Sequence, residues 1–173
     1  MVKPGDIINH AEMCADAGRG MMQRGMNFRS NDAMSVILMS LRVGAPYEDK
    51  VEEEGRVLIY EGHDVQKNFA TTRDTKAEDQ PMYFPSVLPQ QNGRFYLAAS
   101  DFKKQNIAPE LVRVYEKIKA GIWVYNGVFE LVDSWLAEQA GRKVFKFKLL
   151  VTDATTTERQ KSAASASSAL RRE

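Results

Sequence analysis

Apolar positions along the chain fall into short runs separated by polar stretches, a pattern of strands rather than of long helices. MSVILMSL (34–41) is a compact apolar block between Asn31-Asp32 and Gly44-Ala45-Pro46, and its shortness predicts a buried strand. RVLIY (56–60) is β-branched and runs into Glu61-Gly62-His63-Asp64, which predicts a second strand ending in a tight loop. GVFELVDSWL (127–136) and KVFKFKLLV (143–151) alternate. In the latter, Phe145, Phe147, Leu149 and Val151 share one face, and Lys146 and Lys148 lie on the other. LVRVYEKI (111–118) suits either a helix or a strand. GDIINHAEMCADAG (5–18) predicts a short helix with Asp6 as N-cap and Gly18 just past its end. The segment 65–92 has little periodicity and reads as a long loop, functional or mobile, before order resumes at RFYLAASDF (94–102). The last twenty residues, rich in Ala and Ser, carry almost no large apolar groups and predict a flexible linker or tail. The expected organisation is therefore a domain over 1–153 and a tail over 154–173, cut from a longer polypeptide. The fold class is α+β, mainly β, with a barrel or sandwich of strands.

Composition narrows the function. The chain has 173 residues, 43% hydrophobic and 27% charged, which is the mix of one ordinary globular domain. A single cysteine, Cys14, excludes an internal disulfide and a thiolate zinc site. Two histidines are too few for a multi-histidine metal centre, and no cofactor is expected. No apolar run reaches bilayer length and the N-terminus lacks a signal-peptide core, so a cytoplasmic protein without membrane contact is expected. With a net charge of +1, any polyanion must be met by a local patch. Arg19, Arg24 and Arg29 form one basic stretch, RKVFKFK (142–148) another, and EDKVEEE (48–54) is acidic. Neither GxxxxGK[ST], GxGxxG nor HExxH occurs. Glu61, His63 and Asp64 suggest a metal or acid–base site on paper, but a loop whose polar groups cap the backbone is the commoner arrangement. Catalysis within this chain is not expected.

Five segments in order resemble the SRA (SET- and RING-associated, or YDG) domain: GDII…AEM…AG (5–18), RSND (29–32), PYEDKVEEEG (46–55), LIYEGHD (58–64) and GIWVYNGVFELVDSW (121–135) followed by RKVFKFKLLVTD (142–153). The chain departs from the family in having Asn126 for the signature aspartate, Lys50 for a further aspartate, and His63 for a small residue. The resemblance implies a PUA-like twisted pseudo-barrel with a short N-terminal helix and long DNA-grasping loops. It further implies binding of duplex DNA with a modified cytosine, 5-methylcytosine or 5-hydroxymethylcytosine, flipped into a pocket. The prokaryotic type pairs such a domain with an HNH nuclease domain in modification-dependent restriction endonucleases. The alternative is a PUA-like barrel that binds RNA or another ligand without base flipping.

The resemblance also assigns residues. Tyr47 and Tyr60 would stack on the two faces of the flipped base, where each aromatic contact is worth about 1–3 kcal/mol. Asp49, or else Asp64, would accept from the cytosine N4 amino group, and backbone N–H groups of Ala45, Glu61 and Gly62 would face N3 and O2. His63 would line the 5-substituent. Met22, Gln23 and Arg24 match a loop that enters the duplex, with Met22 equally suited to the core; Lys67, Asn68 and Arg73 are candidates for a second such loop. Phosphate contacts would come from Arg19, Arg29 with Ser30 and Asn31, and from Lys143, Lys146 and Lys148.

Overall fold

The computed structural model describes residues 1–30, 32–67, 74–105 and 107–171. Eight strands and three α-helices appear in the order β1 (Ile7–Asn9), α1 (His10–Asp16), β2 (Met26–Asn27), β3 (Ser35–Met39), β4 (Lys50–Glu52), β5 (Val57–Glu61), α2 (Gln91–Lys103), β6 (Glu110–Lys119), β7 (Ile122–Gln139), β8 (Arg142–Val151) and α3 (Asp153–Leu170). The strands form one mixed sheet in the order β2-β3-β6-β7-β8-β5-β4, with β1 on β7. Among the described residues only β3 and β6 run parallel. The long β7 pairs with β1 and β6 along its first half and with β8 along its second. Residues 111–118 thus take the strand option: Val112 and Val114 alternate inward, and the segment pairs with β3 on one side and with the long β7 on the other.

Both faces of the sheet are covered. Ile37 and Met39 of β3 join Phe95, Phe129, Leu131, Phe147 and Leu149 beneath α2. Val36 and Leu38, on the other face, join Met13, Met22, Tyr115 and Trp123 beneath α1. A strand buried on both sides reads as an unbroken apolar run, which residues 36–39 show, while Ser35 is buried with its hydroxyl donating to Glu110.

Two elements differ from the sequence expectation, and a third gives a type to a segment that the sequence left open. The first helix starts at His10, because Asn9 rather than Asp6 is the cap: Asn9 Oδ1 accepts from Glu12 N and the Glu12 carboxylate accepts from Asn9 N. Asp6 instead accepts from Lys3 N, and Ile7–Asn9 pair with β7. The order resumed at 94–102 is a helix, seated by Phe95, Ala98 and Ala99. Residues 153–170, expected to lack structure, form a helix whose first turns are tied down. Thr155 Oγ1 accepts from Val128 N at 2.9 Å, and Arg159 donates to the carbonyls of Gly55 at 3.0 Å and Asn126 at 2.7 Å. A Cβ on Gly127 (φ +104°) would collide with the Thr155 methyl. In the Tyr125-Asn126-Gly127 motif, then, Asn126 and Gly127 seat α3.

Candidate functional site

The strand-to-loop passage after β3 and the end of β5 build the site together. The loop 40–49 carries Ala45, Tyr47 and Asp49, and β5 presents Tyr60 and Glu61. A cavity of about 480 Å³ is lined by Tyr47, Asp49 and Tyr60, with Ala45, Gln23, Arg42, Lys117 and Trp123 around it. A second cavity of about 450 Å³ shares Ala45, Tyr47 and Asp49 but is lined on its far side by Glu61, Lys76, Gln139 and Arg142. The loop therefore stands between two chambers, one aromatic and one charged.

Tyr60 is 5% exposed, and its hydroxyl donates at 3.5 Å to the Leu38 carbonyl. Its ring belongs to the core and also walls the larger cavity. Tyr47 is half-buried. The Lys76 ammonium lies 4.3 Å from its ring centroid on one face, and its hydroxyl accepts from Asp64 N at 3.3 Å. Asp49 accepts from Ser40 N at 3.2 Å and Glu61 N at 3.0 Å. Burial outweighs those bonds and pushes its carboxyl up to about 6. A carboxylate has about four acceptor sites, so two remain for an incoming amino group.

Several residues assigned from the sequence are placed otherwise. The backbone N–H groups named as base donors are engaged: Ala45 N donates to Arg42 O, Glu61 N to Asp49, and Gly62 N to Phe145 O. Gly62 lacks a Cβ where Asn92, Gln80 and Phe145 crowd in. His63 lines neither cavity. Its Nδ1–H donates to the Asp64 carbonyl at 2.9 Å, and its Nε2 accepts from Asn92 N at 3.3 Å. Burial pushes its pKa down, consistent with a neutral ring turned toward α2. Asp64 is bound by Lys76 at 2.7 Å, Arg142 at 2.8 Å and Gln80 at 3.2 Å. Burial alone would raise its pKa, but these partners hold it below the usual carboxylate range.

The cationic and loop residues divide in the same way. Met22 is 4% exposed and packs in the core, so it does not project as a wedge; Met21, Gln23 and Arg24 are the exposed side chains of that loop. Arg19 is a strut, donating to Ser30 Oγ and to the carbonyls of Phe28 and Met34. Arg29 is mostly exposed but faces Glu110 at 3.6 Å. Lys146 is 7% exposed, with its ammonium 3.4 Å from Glu61, and so is a core ion rather than a surface one. Lys148 is partly buried, and Lys67 and Lys143 are exposed. Asn31, Asn68 and Arg73 lie outside the described residues. Sequence reasoning missed Lys76, Gln80, Gln139 and Arg142. Only Arg142 carried a signal, at the head of the basic run.

A family model described as the SAD/SRA domain matches residues 2–154. The chain belongs to the SAD/SRA domain family. Among curated proteins this SRA domain is 25% identical over 154 residues to the histone-lysine N-methyltransferase family member SUVH2 of Arabidopsis thaliana, covering 86% of this chain and 22% of that protein. The chain thus spans about a fifth of the curated relatives it matches. Among solved structures it resembles the SUVH5 SRA in complex with methylated CHH DNA, with a TM-score of 0.59 and 23% identity over 88% of this chain and 90% of that one. It also resembles the SUVH5 SRA bound to fully hydroxymethylated CG DNA, with a TM-score of 0.60 and 24% identity over the same shares. The pseudo-barrel expected from the SRA resemblance is therefore the observed fold. Among the described residues no helix is long and apolar enough to cross a membrane.

Proposed function

We propose that this domain binds duplex DNA carrying 5-methylcytosine or 5-hydroxymethylcytosine and takes the base, rotated out of the helix, into the cavity between Tyr47 and Tyr60. The observation that carries the proposal is the larger cavity itself, which brings two aromatic walls and a buried carboxylate together at about 480 Å³. Tyr60 and the open face of Tyr47 meet the π-faces of the base, at about 1–3 kcal/mol per stacking contact. Asp49 accepts from N4, an amino group that thymine lacks. Gln23, Arg24, Arg42 and Lys117 stand where phosphates or the displaced partner base would approach, and all four are at least partly exposed. Stacking and N4 recognition offset the few kcal/mol needed to unpair and unstack the base. The SUVH5 SRA, of the same fold, has been solved with methylated and hydroxymethylated DNA, which supports the reading.

The proposal makes this chain the recognition module of a modification-dependent restriction endonuclease, with cleavage assigned to an HNH-type nuclease domain elsewhere in the full-length protein. Competition binding among methylated, hydroxymethylated and plain duplexes, with RNA as a further competitor, tests the recognition half. A clear preference for a modified duplex, with 2-aminopurine fluorescence reporting flipping, is expected. Equal binding of plain DNA, or a preference for RNA, refutes it. Cleavage of modified plasmid by the full-length protein, with none by this chain alone, tests the second half.

A further inference from the structure

Glu61 follows Tyr60 in β5 but lines the charged chamber and not the aromatic one. It is 1% exposed, among the most deeply buried charged groups of the fold. Its Oε2 accepts from Glu48 N at 2.7 Å, while its own N–H donates to Asp49 Oδ1 at 3.0 Å. The two bonds run in opposite directions between β5 and the loop that carries Tyr47 and Asp49. Lys146, directly across the β5–β8 ladder from Glu61, sends its ammonium to Glu61 Oε2 and to the Glu48 carbonyl, each at 3.4 Å. Gln80 and Gln139 donate to the same carboxylate at 3.4 Å, and Arg142 stands 3.7 Å away. Carboxylate and ammonium together hold both the N–H and the C=O of Glu48, the residue between Tyr47 and Asp49.

We propose that the Glu61 carboxylate, with Lys146 as its counter-ion, is the positioning residue of the base pocket. It clamps residues 47–49 to β5 from the side away from the base and so fixes the gap between Tyr47 and Tyr60 and the aim of Asp49. The proposal rests on the base-pocket reading above. A burial this complete is costly for a charge unless it is paired and hydrogen-bonded, and here the charge is bonded to the loop through Glu48 N, to the framing strands through Lys146 and Gln139, and to Gln80. The clamp touches no base. Its loss would therefore appear as lost discrimination and leave phosphate-driven binding of plain DNA intact.

The test uses Glu61→Ala, Glu61→Gln, Lys146→Met and the double variant Glu61→Gln/Lys146→Met, in the whole chain. Hydrogen exchange in the free protein is read at Glu48, and affinities are measured for methylated and plain duplexes. Loss of a hydrogen bond to a charged group predicts a roughly tenfold fall in the methylated-over-plain ratio for Glu61→Ala, with plain-DNA affinity unchanged. Exchange at Glu48 is expected to accelerate while exchange in β6 and β7 does not. The neutral double variant removes the unpaired charge and is expected to recover part of the ratio, which a loss of stability alone would not produce. If Glu61→Ala fails to fold, the Gln variant and the double variant carry the comparison. An unchanged ratio, an equal loss on both duplexes, or unaltered exchange at Glu48 overturns the clamp. A wild-type protein without preference for methylated DNA overturns the pocket reading first, and this is visible before any variant is made.

Discussion

Replacing Gly127 with alanine should loosen α3 from the barrel. Two costs add. Gly127 sits at φ +104°, where a side chain is strained, and such backbone positions cost about 1–3 kcal/mol. The new Cβ also meets Thr155 at its methyl and at Oγ1, 2.9 Å away, so the residue that donates through Thr152 capping and accepts from Val128 N must shift. One lost hydrogen bond of that kind costs about 1 kcal/mol. The expected total is about 2–4 kcal/mol, which in a domain of this size lowers Tm by roughly 4–16 °C. Thermal denaturation followed by circular dichroism measures it, with Thr155→Ala and the double variant as controls. Thr155→Ala removes the collision but not the φ strain, so the double variant should be less destabilised than the sum of the singles by about 1 kcal/mol. Affinity for modified DNA should change little, because α3 lines neither cavity of the candidate site. If Gly127→Ala melts within a degree of wild type, the seating of α3 on the Tyr125-Asn126-Gly127 motif is wrong.

Tyr47→Ala should lower the modified-over-plain affinity ratio by about 1–3 kcal/mol with little change in Tm, as fluorescence anisotropy will read. Tyr60→Ala removes a core ring and should cost about 3–5 kcal/mol of stability, so Tyr60→Phe, with its ratio near wild type, is the cleaner control. Lys146→Ala should destabilise the fold by about 3 kcal/mol by leaving Glu61 under-paired, with no change in the salt slope of DNA binding; a flattened slope would return Lys146 to the phosphate-contacting set. Asp49 rises from 3.8 to about 6 in the folded state, so its contribution is greatest below about 4 and is lost as pH climbs through 6. The stability of wild type relative to Asp49→Asn should therefore fall by about 2 kcal/mol between pH 4 and 7, and a flat difference in urea titrations would contradict the burial argument.

The strands were legible because their side chains state their surroundings. Val112, Val114, Phe145, Phe147 and Leu149 alternate as the pleat requires, and residues 36–39 are apolar without a break because helices cover both faces. What alternation cannot show is whether the opposite face is open. Lys146 sits on the polar side of its strand, yet that side is closed by Glu61 across the ladder and by the loop 44–49, so a surface cation on paper is a core ion in the fold. His63 and Asp64 were misassigned for a related reason. Their partners, Asn92, Lys76 and Arg142, come from sequence-distant elements, and α2 itself was hidden by Asn92, Gly93 and small alanines that carry little periodicity. The tail was read from hydrophobicity alone. Its alanines favour a helix once Thr152 caps it and Thr155 and Arg159 give it somewhere to sit. Tyr47 and Tyr60 were proposed from the family resemblance and Asp49 from the hydrogen-bonding edge of cytosine, and the fold brings all three to one cavity.

The seated helix also sets a heading. From Asp153 to Leu170, 18 residues rise about 27 Å along one axis. Fixed at its root, such a rod transmits direction as well as distance. Each residue inserted beyond the anchored turns would advance a fused fluorophore or enzyme by about 1.5 Å and swing it about the axis by about 100°. Fusions made through α3 should therefore vary in reach and geometry with a period of three to four residues, and length and phase would have to be chosen together.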